Sequence, residues 1–376
     1  MSCSNKNCSK CRRRKCAKRC NCADCRNCPN NNNGNNCPPT PGTPATPGTP
    51  ATPGSPPVPG ATGLVEYINV APDVDLFVYD LVPSIGTSTL GTIVMIHGLA
   101  ENADVWEYAI NDLVRRGFRV IAYDQRGHGR SSTPFDNAYE INRFAEDLRA
   151  LLLFKGITGV TLLGHSFGTG VIVRYMGLYG STDGIVNKII LAATVQPDPP
   201  NLDPTFEPLF RAAALIDRPQ ATALLVDSPV LWTVLPSDEF RRWYKDIVIN
   251  QFSLWPLIDV LNQAQTVSFR ADMESIDVCT LIIHGLLDLL LPIDHAVETQ
   301  AAIPSSQLQI VPIGSHNFFL EYQNKVDFHN QVANFAQTCL ALPGTATTLP
   351  TLPVIPLGIP TLTGFGPLPL GPSYTP

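Results

Sequence analysis

The sequence predicts an α/β fold: a doubly wound, mostly parallel sheet interrupted by a helical insertion. Three observations predict it. Short β-branched and leucine runs alternate with helical patterns from Gly63 to Leu342. One serine, Ser166, stands between an apolar strand-like run and an apolar helix-like one. The alternation then breaks from about Gln196 to Asp272, where three of the four tryptophans fall. Alternating strands and helices pair in parallel, because each crossover helix must return across the sheet, and such sheets are covered on both faces.

Taken in order, Leu64 to Val70 and Leu76 to Leu81 suit an opening hairpin, and Thr92 to Ile96 reads as a buried strand. Asn102 to Arg116 suits a helix ended by Gly117, followed by a strand from Arg119 to Tyr123. Ala138 to Phe154 is a helix with Ile141, Phe144, Leu148, Leu151 and Leu152 as its inward stripe. Val160 to Leu163 is the strand before Ser166, and Thr169 onward is the helix after it. Lys188 to Ala192, Thr280 to His284 and Leu308 to Val311 are three further strands, the last two each followed by a helix. Functional loops of such a sheet gather at the C-terminal ends of its strands.

The ends of the chain differ from this body. Nine of the eleven cysteines lie in residues 1–37, together with nine Lys or Arg against the single Asp24, a charge of +8. The whole chain is formally −6, so the remainder is −14: an acidic body carries a basic arm. Cys-x-x-Cys spacings at Cys8/Cys11, Cys22/Cys25 and Cys25/Cys28 permit zinc thiolate ligation, with Cys8, Cys11, Cys22 and Cys25 as candidate ligands. No histidine joins them and the segment is poor in apolar residues, so an oxidisable or cross-linking disordered tail is the reading preferred. Its charge also suits tethering to an assembly or an anionic surface. Residues 38–63 repeat Thr-Pro-Gly-Thr-Pro-Ala, which echoes collagen, but Ala45, Ala51 and Pro57 occupy positions where a triple helix needs glycine. An extended polyproline stalk is expected instead. Residues 343–376, rich in Pro, Leu, Thr and Gly, read as a second tail. No apolar run reaches transmembrane length and the charged start has no signal-peptide core, so no secretory signal is evident and the location is left open between cytoplasmic and assembly- or surface-associated.

Chemistry enters at Gly164-His165-Ser166-Phe167-Gly168, which fits the G-x-S-x-G nucleophile elbow. The chain turns there so sharply that only glycine fits the flanks, and the serine stands clear over a helix N-terminus. A serine hydroxyl is a weak nucleophile until a base takes its proton and a carboxylate orients that base. The expected order is Ser, then Asp or Glu, then His. Asp288 follows the Thr280 to His284 strand, and His316 follows the Leu308 to Val311 strand. His284, His295 and His329 lie in a strand end or in helices and are read as structural. The rival acid Asp198 sits among Pro197, Pro199 and Pro200 and is read as a turn residue. The backbone N–H groups of Phe167 and Leu99 are the expected oxyanion donors, Leu99 because it follows the Thr92 to Ile96 strand in His97-Gly98-Leu99.

On these residues the chain resembles the α/β-hydrolase superfamily over about residues 64 to 340. The likeness rests on His97-Gly98-Leu99, the segment Asp124 to Ser132, the elbow, Gly285 to Pro292, and Gly314-Ser315-His316. Asp124 to Ser132 is similar to the esterase and cofactor-free haloperoxidase branch, where it shapes a loop and takes no part in the chemistry. A serine at the elbow departs from the epoxide hydrolases and haloalkane dehalogenases, which carry aspartate there. Phe167 departs from the Met or Thr of haloperoxidase-like members and counts against a perhydrolase side activity. In this superfamily an insertion such as 196–272 is a cap over the site, and its aromatics (Phe206, Phe210, Trp232, Phe240, Trp243, Phe252, Trp255) favour an apolar acyl or aromatic small-molecule substrate. No Walker loop, dinucleotide fingerprint or metal cluster marks the body, so no cofactor is expected.

The resulting expectation is a serine hydrolase of carboxylesterase type. The competing expectations are a displayed structural protein on an inactive hydrolase scaffold, and a perhydrolase, lactonase or carbon–carbon hydrolase.

Overall fold

The computed structural model describes residues 62–83, 89–135, 139–202, 206–249 and 251–340. The readings of the basic arm with its candidate ligands Cys8, Cys11, Cys22 and Cys25, and of the tail at 343–376, lie outside these residues. So does most of the stalk, although the first strand already begins at Thr62.

Eight strands form one sheet: β1 (Thr62–Ala71), β2 (Val74–Val82), β3 (Thr92–Ile96), β4 (Arg119–Tyr123), β5 (Val160–His165), β6 (Val186–Ala192), β7 (Cys279–Gly285) and β8 (Gln307–Val311). Their order is β1-β2-β4-β3-β5-β6-β7-β8. The opening hairpin pairs antiparallel, as does β2 with β4, and every later pair is parallel. The order reverses at β3, which lies between β4 and β5. Such a reversal opens a crevice beyond the strand ends, and the loops after β3 and β5 border it.

Both faces of the sheet are covered, and the central strands show how. Along β3, Val94 and Ile96 join one core with Ile121, Leu162, Phe144 and Leu148. Ile93 and Met95 join the other with Leu113, Val120, Leu163 and Phe335. The alternation of a strand places successive side chains on opposite faces, and each buried Val, Leu or Ile contributes roughly 1.5–3 kcal/mol. All five predicted inward residues of helix α2 (Ile141–Lys155) are buried. The helix predicted from Asn102 is divided: a tight turn at Ala103–Trp106, capped by the Asn102 side chain, precedes helix α1 (Glu107–Arg115). Asp124 fixes that turn by accepting the Ala103 N–H at 2.8 Å.

The segment between β6 and β7 is helical as expected, with helices at Phe206–Ile216, Arg218–Val226, Asp238–Trp243 and Leu254–Ala264. It has a small core of its own, Ala214, Ala221, Phe252, Leu257 and Leu261, packed against Leu99 and Ala100 of the loop after β3. Asp198 is half exposed and pairs with Arg270, in keeping with a turn role. One feature has no counterpart in the sequence reading: Cys279 at the start of β7 is disulfide-bonded to Cys339, just after the last helix (Lys325–Thr338). Among the described residues no helix is long and apolar enough to cross a membrane.

Candidate active site

Ser166 joins β5 to helix α3 (Phe167–Tyr175) with φ 51° and ψ −122°, a conformation that L residues rarely adopt. The flanking glycines permit it. A Cβ on Gly168 would lie 2.4 Å from the Ile96 carbonyl oxygen and 2.7 Å from that of His97, and one on Gly164 would lie 2.7 Å from the Gly168 oxygen. Backbone cannot retreat from such contacts as a flexible side chain would. The Ser166 N–H donates to the Ala192 oxygen on the neighbouring strand at 3.0 Å, which pins the turn to the sheet. Phe167 opens α3, so its N–H belongs to the first turn, where no intrahelical acceptor exists.

The loops after β7 and β8 bring the other two residues together. The His316 Nδ1 lies 2.8 Å from Asp288 Oδ2. Asp288 is oriented from its far side, where Oδ1 accepts the Leu290 N–H at 2.9 Å and the Leu291 N–H at 2.8 Å. Burial alone would raise this carboxyl, but the facing His316, then His284 and the Leu291 N–H, hold it below its ordinary range. With Nδ1 committed to Asp288, Nε2 is the ring nitrogen left for chemistry.

Ser166, Phe167, Leu99 and His316 line one cavity. Its walls are chiefly aliphatic, including Leu225, Leu231 and Ile249 from the insertion and Leu290 from the loop after β7. A smaller cavity adjoins it, with Phe167, Val195 and Val260 common to both walls. Of the insertion's aromatics Phe210 lines the larger cavity, whereas Trp232 is buried and donates its indole N–H to the Val226 oxygen.

His97 and His284 hold loops. His97 accepts the Gln125 N–H at Nε2 (2.9 Å) and faces the Gly98 oxygen with Nδ1 (2.7 Å). His284 accepts the Thr194 N–H at Nδ1, with its Nε2 on the Leu291 oxygen. Burial lowers the pKa of both. His329 pairs with Asp112. The segment after β4 is braced by Asp124, which takes the Arg130 N–H and guanidinium, and by a buried Arg126–Asp147 pair.

Sequence reasoning missed four buried polar residues beside Ser166. Glu101 accepts the Gly98 N–H at 2.7 Å, the Tyr244 hydroxyl at 2.7 Å and the His165 Nδ1 at 3.0 Å. Asn317 donates to the Tyr244 oxygen at 2.9 Å. Nothing in a single sequence marks Glu101 or Tyr244, which are 143 positions apart.

The reversed sheet order, the strained serine between β5 and α3, and an imidazole–carboxylate pair on the next strand ends define a hydrolase-type α/β fold. The chain belongs to the α/β-hydrolase family: the family model described as alpha/beta hydrolase fold matches residues 91–322. YisY of Bacillus subtilis, an AB hydrolase superfamily protein, is 30% identical over 284 residues, which cover 72% of this chain and 99% of YisY. A non-heme haloperoxidase of Rhodococcus erythropolis is 30% identical over 237 residues, covering 60% of this chain and 85% of that protein. Among solved structures, an esterase from Exiguobacterium antarcticum aligns with a TM-score of 0.66 at 24% identity, over 73% of this chain and 100% of its own.

Proposed function

We propose that the chain is a serine hydrolase that cleaves carboxylic esters of small, largely apolar substrates through an acyl-enzyme. The observation that carries this reading is the carboxylate-anchored His316 lining the same apolar cavity as Ser166 at its strained elbow. Ser166 attacks the ester carbonyl while His316 Nε2 takes its proton, and Asp288 stabilises the imidazolium that forms. The negative oxygen of the tetrahedral intermediate is received by the N–H groups of Leu99 and Phe167, donors of a kind worth ~10²–10³ in rate each. His316 then returns the proton to the leaving alcohol, and water attacks the acyl-enzyme by the same route in reverse. The helices between β6 and β7 act as the cap, whose leucines keep the cavity apolar.

The test is turnover of p-nitrophenyl esters of increasing acyl length by the wild type and by Ser166→Ala, with fluorophosphonate labelling alongside. Serine-dependent phenolate release and labelling are expected, and turnover or labelling that survives the substitution refutes the assignment. The likeness to a haloperoxidase favours a second reading, in which hydrogen peroxide replaces water in the second half-reaction and a peracid leaves. Peroxide-dependent halogenation of a dione in the presence of a short carboxylate would support it.

A further inference from the structure

The site contains a second imidazole–carboxylate pair, lying against the first. The rings of His165 and His316 are 4.9 Å apart, and each faces its own carboxylate, His165 with Glu101 and His316 with Asp288. The two imidazoles differ in what their other nitrogen meets. His165 Nε2 faces the main-chain oxygen of His316 at 3.2 Å. A carbonyl only accepts. The carboxylate at Nδ1 accepts from the Gly98 N–H and the Tyr244 hydroxyl and has no proton to give. Burial alone would raise the Glu101 carboxyl, yet the facing His165 and these donors hold it at about 2. Both ring nitrogens of a fully buried histidine thus face acceptors, and a neutral ring has one proton to offer. Phe319 and Trp106 pack beside His165; the ring of Phe319 has no donor, and the buried indole N–H of Trp106 makes no hydrogen bond to either ring nitrogen.

Resting on the esterase reading above, we infer that His165 is held as an imidazolium by Glu101, and that this buried ion pair positions the loop of Leu99 and the loop of His316 around Ser166. Four segments meet in it: the loop after β3 through the Gly98 N–H, the elbow through His165, the loop after β8 through the His316 oxygen, and the insertion through Tyr244. The pair also solves an electrostatic problem. A bare carboxylate lining the cavity two residues from Leu99 would oppose the negative charge that develops on the substrate oxygen, and the imidazolium neutralises it. Gly98 belongs to the device, since a Cβ there would lie 2.8 Å from Glu101 Oε2 and 3.1 Å from His165 Nδ1. Glu101 and His165 are positioning residues, because neither carries the transferred proton in the proposed cycle.

The test joins spectroscopy to kinetics on the full chain. In ¹⁵N-histidine-labelled protein at neutral pH, the resonances that disappear in His165→Gln should show both ring nitrogens protonated in the wild type. In Glu101→Gln they should change to those of a neutral ring. A neutral His165 in the wild type overturns the inference, and this result does not depend on activity, so an esterase reading that fails on its own leaves the pair decided. In the kinetic arm, Glu101→Gln should lower kcat per fluorophosphonate-titrated site about 10- to 100-fold with KM within about threefold, as misplacement of catalytic groups does. His165→Gln should do the same, and the double variant should be little worse than either single, as for one functional unit. Fewer titratable sites with unchanged kcat per site, or additive losses, would reduce the pair to an ordinary packing element.

Discussion

Replacing Asp288 by asparagine is the most informative perturbation of the proposed site, because the surroundings dictate which way the new amide must face. Oδ1 receives two backbone N–H groups, from Leu290 and Leu291. An asparagine keeps its oxygen there, since turning it would set an NH₂ against two N–H donors and leave them unsatisfied at roughly 1–3 kcal/mol each. The NH₂ then faces His316 Nδ1, which must accept, and the ring proton moves to Nε2. A protonated Nε2 has no lone pair with which to take the proton of Ser166. The expected loss is ~10³–10⁴ in kcat with the fold unchanged, a wrong-tautomer effect of the size known for serine hydrolases. Stopped-flow hydrolysis of a p-nitrophenyl ester beside a thermal melt measures both quantities. A folded Asp288→Asn protein with kcat within tenfold of wild type would refute the tautomer argument and the role given to Asp288.

Three further outcomes are expected. Gly168→Ala forces a methyl onto two backbone oxygens and should destabilise the chain by about 1–3 kcal/mol, read as a fall in urea midpoint; an unchanged midpoint would mean the elbow is looser than described. Burial lowers His128 to about 3 and His295 to about 4, so both stay neutral in the fold while the unfolded chain protonates them below about 6.5. Their contribution is therefore complete above pH 6.5 and is lost as pH falls towards 4 for His295 and towards 3 for His128, with a combined slope of at most about 3 kcal/mol per pH unit. Equal urea stability at pH 7.5 and pH 5 contradicts this, and His295→Gln should flatten the slope. Finally, the Cys279–Cys339 disulfide spans 60 positions, and opening it should cost up to about 4 kcal/mol on chain-entropy grounds. Midpoints with and without reductant, with free thiols counted, decide that prediction.

What could be read from the sequence followed from local rules. The strands β3 to β8 announced themselves as short β-branched runs, and α2 by its apolar period, because both patterns are imposed by a two-faced sheet. Ser166, Asp288 and His316 are legible as candidates because each follows a strand in a fixed order, which a linear sequence preserves. Glu101, His165 and Tyr244 are not, since their meaning lies in partners brought together only by the fold. His165 was quoted as one letter of the elbow, with no sign of the carboxylate 64 positions earlier that it would meet. The disulfide is not legible because Cys279 and Cys339 are 60 positions apart and meet only in the fold. The split at Ala103–Trp106 reflects a tertiary hydrogen bond from the Ala103 N–H to Asp124, which overrides helix propensity.

The insertion between β6 and β7 divides the labour of the chain. Ser166 precedes it and Asp288 and His316 follow it, so the reacting groups stand on strand ends that the insertion neither supplies nor interrupts. The cavity wall, by contrast, draws Phe210, Leu225, Leu231 and Ile249 from it. On the proposed reading, substrate choice and bond chemistry are encoded in separable stretches, and a lineage could exchange one while keeping the other. The exchange is not wholly free. The Leu231 oxygen receives the Ser315 hydroxyl at 2.6 Å and the Asn317 N–H at 3.2 Å, on either side of His316, and Tyr244 reaches Glu101. A replacement segment would have to reproduce these few stitches, which makes them the natural junctions for grafting a foreign cap onto this sheet.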